Sequence, residues 1–297
     1  MTALDPLATV ATATTFATPR ERRALKQFLR HRGAVFGALV LALTVLLAVA
    51  AGWLYPGDPL RIVGTPETWP FDSRAFPLGT DALGRDMAAL LAHGARATLL
   101  ASLCASLLAT LVGLAVGLAA AWYGGWIDEL LMRATELFQI VPNVVFVLTI
   151  VSILGPRLQN TVIAVAVVSW PAIARLTRAE CLSFKSRDFV AACRTSGLSP
   201  WRIAFGEILP NALPPVLVMG SLVVAGAILY ESVVSFLGLG DPNLASWGRQ
   251  IGEGRTLIRS SWYLCAEPGI AIMLVVLALN LIGDGLNDAL NPVFRKR

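Results

Sequence analysis

Bond-making chemistry needs nucleophiles, titratable pairs or metal ligands held close together, and this sequence offers few. Its four cysteines, Cys104, Cys181, Cys193 and Cys265, contain no C-x-x-C pair, and its two histidines, His31 and His93, stand far apart. A zinc or redox centre draws several such ligands at short spacings, so no metal set emerges. Only three lysines occur, Lys26, Lys185 and Lys296, and none follows a glycine. A phosphate-binding loop ends in Gly-Lys-Ser/Thr, so the chain has no P-loop with which to hold ATP. A Gly-x-Ser-x-Gly nucleophile elbow is also missing. Asp128 and Glu129 sit beside Trp126 and Arg133, a mixture that suits a solvated membrane interface. Glu231 is different, because it follows the 23 uncharged residues of 208–230. A carboxylate placed there must face a cavity or a polar partner. One reading has it line the outer gate of a transport path; the other makes it an interface glutamate reaching toward water.

The elements that would carry such a path are legible as apolar runs. Of 297 residues, 56% are hydrophobic and 14% charged, with mean hydropathy +0.68, against about 25% charged in soluble domains. Uncharged stretches cover 33–57, 97–127, 137–156, 158–174, 208–230 and 268–283. A helix crosses a hydrocarbon core with roughly 20 apolar residues, so the expected fold class is an all-α integral membrane protein with six transmembrane helices. The first run is longer than a signal-peptide core of about 7–15 residues, so 33–55 reads as an uncleaved span despite Ala48, Val49 and Ala50.

Net charge is +5, and the cations cluster. Arg20, Arg22, Arg23, Lys26, Arg30 and Arg32 precede the first span; Arg175, Arg178, Lys185, Arg187, Arg194 and Arg202 lie between spans four and five; Arg295, Lys296 and Arg297 end the chain. Six spans put all three clusters on one side, the cytoplasmic side under the positive-inside rule. Lipid, not nucleic acid, accounts for the charge. The chain then divides into a cytoplasmic tail (1–32), the first span (33–55), a proline-rich extracytoplasmic loop (56–88), a core membrane domain (89–290) and a cytoplasmic C-terminal tail (291–297).

Within the core domain, the basic loop 182–210 is the candidate docking element. Ala191 and Ala192 give a short helix a small-residue face that allows close backbone approach, Gly197 can end it in a left-handed cap, and Pro210 can start the next helix. An ordinary basic inner loop would explain the charge alone. In the outer loop, Gly79, Gly84 and the aspartates Asp81 and Asp86 around Arg85 suit a tight turn capping a helix that starts near Arg85. Gly238 and Gly240, followed by Asp241 and Pro242, suggest a helix end and a re-entrant turn. Asp284 and Asp288 share a helical face near Arg295 and read as a tether of the last span.

Several of these segments resemble a known family. Phe189, Val190, Ala191, Ala192, Cys193 and Arg194, then Gly197, then Leu209, Pro210 and Asn211 resemble the EAA loop of binding-protein-dependent ABC importer permeases, whose coupling helix seats in the ATPase. Ala191 stands where a glutamate is usual and Glu207 where an aliphatic residue is usual. Leu78, Gly79, Thr80 and Asp81 with Leu83, Gly84, Arg85 and Asp86 resemble the LGTD-x-LGRD segment of the oligopeptide/dipeptide/nickel group. The run 235–240 with Ser246, Trp247 and Gly248 resembles its SFLGLG…WG loop, and 281–290 its closing LLGDGLRDAL. The resemblance spans residues 30–294 and is to the C-type permease subunit.

It implies a type I ABC importer transmembrane fold in the inner membrane with both termini cytoplasmic. A homologous second permease, two ABC ATPase subunits carrying ATP and Mg, and an extracytoplasmic substrate-binding protein would be the partners, with no cofactor on this chain and no enzymatic activity of its own. Asp81, Arg85, Asp86, Glu231, Gly238, Gly240 and Trp247 become the outer-loop and gate candidates, some of them possible contacts for the binding protein. Peptides are the commonest cargo of this group, with nickel chelates, glutathione or another small solute as alternatives. An ion-coupled secondary transporter would need ionisable groups near the midplane, which the nearly charge-free spans do not supply.

Overall fold

The computed structural model describes residues 26–290. The helices in chain order are α1 (Arg32–Leu54), α2 (Met87–Tyr123), α3 (Gly125–Ile140), α4 (Asn143–Leu154), α5 (Leu158–Lys185), α6 (Asp188–Thr195), α7 (Pro200–Phe236), α8 (Trp247–Gly254) and α9 (Tyr263–Leu290). Five of them, α1, α2, α5, α7 and α9, are each long and apolar enough to cross a membrane. The sixth expected span, the run 137–156, is not one rod: α3 and α4 meet at 85°. Pro142 lacks an N–H and holds Val141 extended, which ends α3 there. The break lies at the depth of Trp170, halfway along α5, where Phe138 packs on both Phe146 and Trp170.

The bundle is built inside-out for a lipid solvent. Along α2, Ala101, Ala105, Ala109, Gly113 and Gly117 recur every fourth residue and are buried, while Leu103, Leu107 and Leu111 face outward. This seam packs on α5. A Cβ on Gly117 would come within 2.4 Å of the Ala174 carbonyl oxygen, and one on Gly113 within 2.6 Å of the Ile173 Cβ. Lipid tails are as apolar as leucine, so helices associate through such close backbone contact rather than by hiding large side chains. The same device joins α1 to α9, where a Cβ on Gly37 would meet the Ala278 carbonyl at 2.6 Å.

His31 caps α1 by accepting the Ala34 N–H on Nδ1 at 3.0 Å, and its Nε2 faces Asp288 at 3.7 Å. Asp288 of α9 therefore lies beside the start of α1. The arginine cluster at 20–23 and the terminal Arg295, Lys296 and Arg297 lie outside the described residues.

Candidate functional site

At one end of the bundle, α6 forms a short helix with two faces. Val190 is fully buried among Leu118, Cys181, Ile203, Ile208 and Ala212, with Phe189 and Cys193 half-buried beside it. Ala191, Ala192, Arg194 and Gly197 are exposed. Asp188 in the first turn and Arg194 in the last oppose the helix dipole. Gly197 adopts φ +76° and donates to the Arg194 carbonyl at 3.0 Å, while Leu198 donates to that of Cys193 at 3.2 Å, a Schellman closure.

The next helix begins earlier than the sequence suggests. Ser199 caps it and Pro200 occupies its first turn, so Pro210 lies ten residues inside a continuous helix. A π-helical stretch, Ile203–Ile208, precedes Pro210, and the Leu209 N–H reaches back to the Ala204 carbonyl. The proline ring would clash with the carbonyl four residues earlier; the wider turn makes room for it. Asn211 fills in by donating its side-chain amide to the Glu207 carbonyl at 2.7 Å. Lys185 donates to the last carbonyls of α2, Ala121 at 2.7 Å and Trp122 at 2.8 Å, and Arg178 holds Asp128 of α3 through two nitrogens.

The opposite end is capped by the loop 56–86. Asp86 caps α2 by accepting the Ala88 N–H at 2.9 Å, so the helix starts at Met87, two residues after Arg85. Burial pushes its carboxyl above the ordinary value despite the backbone donors of Ala88 and Ala89. Asp81 closes the turn by accepting the Leu83 and Arg85 N–H groups at 2.9 and 2.8 Å. Gly79 and Gly84 have positive φ, and a Cβ on either would lie 2.3 Å from a carbonyl oxygen, of Thr68 and Gly64 respectively. Arg85 is 4% exposed and Asp81 7%. The Arg85 guanidinium joins Asp81 to Glu253 of α8, and Glu253 in turn accepts from Arg249 at 2.7 Å. Tyr263 donates from the first residue of α9 to the loop carbonyls, where Thr68 and Thr80 both lie 2.9 Å from its hydroxyl.

Glu231 lies inside this capped end at 2% exposure. Thr98 of α2 donates to it at 3.1 Å and Ser235 at 2.8 Å, and the Ser246 hydroxyl at the start of α8 also lies on it. Hydroxyl donors from two helices and the hairpin thus take the place of a cation. Trp247 is buried and donates to the Leu91 carbonyl at 3.0 Å, and Gln250 to that of Leu90 at 2.9 Å. Gly238, at φ +80°, ends α7, and Gly240 turns the chain so tightly that a Cβ would meet Ser235 Oγ at 2.4 Å. α8 then lies back on α7: Cβ atoms on Gly248 and Gly252 would meet the carbonyls of Ser232 and Phe236 at 2.2 and 2.6 Å. Sequence reasoning singled out Glu231 and Trp247 but missed Thr98, Gln250, Glu253 and Tyr263, whose roles exist only through partners distant in the chain. Gly252 was findable, since Gly248-x-x-x-Gly252 is a small-residue helix-crossing pattern.

Residues 113–296 match the family described as "Binding-protein-dependent transport system inner membrane component", and 20–68 match "N-terminal TM domain of oligopeptide transport permease C". The chain belongs to the binding-protein-dependent permease family. It is 40% identical over 273 residues to the "Di/tripeptide transport system permease protein DppC" of Pseudomonas aeruginosa, covering 90% of each chain. It is 38% identical over 275 residues to the "Dipeptide transport system permease protein DppC" of Escherichia coli K12, covering 91% of this chain and 92% of that one. Among solved structures, one titled "Inward facing conformations of the MetNI methionine ABC transporter" superposes with a TM-score of 0.56 at 21% identity, over 68% of this chain and 96% of that one. The permease thus has the type I importer fold and is a multi-pass inner-membrane transport protein rather than an enzyme. Its geometry agrees with that role: the permease has a two-faced surface helix at one end and a polar brace at the other, joined by α7.

Proposed function

We propose that this permease is one half of the translocation pathway of an ATP-driven importer of di- or oligopeptides, paired with a homologous permease. The capped end faces outward and receives peptide from an extracytoplasmic binding protein. The α6 end, both termini and the basic loop face the cytoplasm, where two ATPase subunits bind ATP and Mg. The observation that carries this reading is α6 itself. Its buried Val190 locks it to α2, α5 and α7, while Ala191, Ala192 and Arg194 remain free to be gripped. A push on that face is passed directly into α7, because α6 and α7 are separated only by the tight link 196–199 and share one apolar cluster. The names of the relatives support peptide cargo.

In this reading Glu231 serves the outer gate from behind. It holds α8 onto α2 and α7, and Arg85 with Asp81 fixes the same hairpin to the outer loop rather than presenting a docking face. Reconstitution of both permeases and the ATPases in proteoliposomes, with binding protein and labelled Ala-Ala inside-directed, tests the proposal. ATP-dependent accumulation of Ala-Ala is expected; accumulation without ATP, or stable activity of this chain without ATPase subunits, would refute it.

A further inference from the structure

The C-terminal end of α7 and the hairpin α8 enclose a cleft of about 340 Å³, lined in part by Phe236, Gly240, Pro242, Arg249, Glu253 and Arg255. That size falls within the range of small-molecule sites, about 300–1,000 Å³. Its charges do not cancel. Among its lining residues the guanidiniums of Arg249 and Arg255 stand against the single carboxylate of Glu253. Glu253 is already engaged through both oxygens, by Arg249 and Arg85.

Arg255 is the surplus cation. It is exposed, sits on the single 3-10 turn after α8, and makes no ion pair among the described residues. Its guanidinium lies over the Phe236 ring, 5.5 Å from the centroid. Stacking of this kind orients the planar group and leaves its edge N–H donors available for a bidentate grip on a carboxylate.

We infer that this cleft is a subsite for the terminal carboxylate of a short peptide entering the permease, with Arg255 as the contacting residue and Arg249 as the second positive wall. The inference rests on the peptide-import reading above. A single acidic side chain from a docked protein would leave most of the cleft empty; a di- or tripeptide would occupy it and place its carboxylate on the unpaired arginine.

Saturation-transfer NMR on the solubilised permease pair with its ATPases, without binding protein, reads this site directly with Ala-Ala and its C-terminal amide as probes. Wild type is expected to bind Ala-Ala, and R255Q to bind it about tenfold more weakly, or ~1.4 kcal/mol. R255K should recover part of the loss, since it restores charge without the fork. The amide should bind wild type no better than Ala-Ala binds R255Q. Undetectable Ala-Ala binding, equal binding of peptide and amide, or an R255Q complex indistinguishable from wild type would each overturn the subsite. So would loss of binding-protein docking in R255Q with Ala-Ala binding intact, which would make the cleft a docking face. If wild-type proteoliposomes bind Ala-Ala but do not accumulate it, the import reading fails while the subsite stands.

Discussion

The two ends of the permease are held together by different physics. At the capped end, the loop 56–86, α7, α8 and α9 are joined by directional contacts: a buried guanidinium between two carboxylates, a tyrosine hydroxyl against two carbonyls, and Glu231 beneath hydroxyl donors. At the α6 end the joint is an apolar socket around Val190, with polar contacts confined to helix termini and the Arg178–Asp128 pair. Hydrogen-bonded charges tolerate little displacement before they are left unpaired in a poor solvent. Apolar contacts are non-directional, so a socket can shift and still be filled. The capped end is suited to staying rigid, and the α6 end to transmitting a movement.

The sharpest way to break this contrast is to enlarge one glycine at each end. G248L should expel α8, because the new Cβ would start 2.2 Å from the Ser232 carbonyl; a loss of more than about 3 kcal/mol should appear as failure to recover folded permease by size exclusion. G206A, where a Cβ meets nothing within 4 Å, should leave yield and thermal unfolding unchanged. R85A should cost about 3 kcal/mol by stranding Asp81 and Glu253, read as a lower Tm. The cost of E253A should shrink markedly on the R85A background.

A smaller effect is expected at Glu231. E231A should cost about 2 kcal/mol through a cavity and unpaired hydroxyls, while E231Q keeps one acceptor and should lose under about 1 kcal/mol. If the hairpin governs the gate, both should lower binding-protein stimulation of ATP hydrolysis in the order of their Tm losses; stimulation at the wild-type level in E231A would remove Glu231 from the gate. The smallest effect concerns the exposed Ala191. A191E should stay within about 0.5 kcal/mol in stability and alter ATPase affinity only at low salt, since exposed charges are screened over roughly 10 Å at 0.1 M. A salt-independent change would mean that position 191 is buried against the ATPase in the complex rather than left in solvent.

What the sequence disclosed, and what it hid, follows from the range of the forces involved. Long apolar runs record the lipid solvent residue by residue, so five spans were legible as such. The broken third span was not, because Pro142 lies inside an apolar run whose composition is unaffected by an 85° bend. Local turn chemistry was equally readable: the left-handed Gly197 and Gly238 and the capping Asp86 are set by neighbours a few residues away. Pro210 misled because a proline usually opens a helix, whereas here a π turn absorbs it. Arg85 and Glu231 drew attention through their charge, but their partners Glu253 and Thr98 are 168 and 133 residues distant, and single-sequence patterns carry no information on such pairs.

The 168-residue separation of Arg85 and Glu253 also dictates an order of assembly. A ribosome adding about 5–20 residues per second needs roughly 10–30 s to supply Glu253 after Arg85 has been made. During that interval the loop 56–86 has its turns but not its anchor. α2 must therefore hold its place by the alanine–glycine seam it forms with α5, which is completed sooner, and the cap can close only when the α8 hairpin arrives. A nascent permease is thus joined from the α6 end toward the capped end, and an interruption of synthesis before residue 253 leaves a bundle whose cap is unlocked.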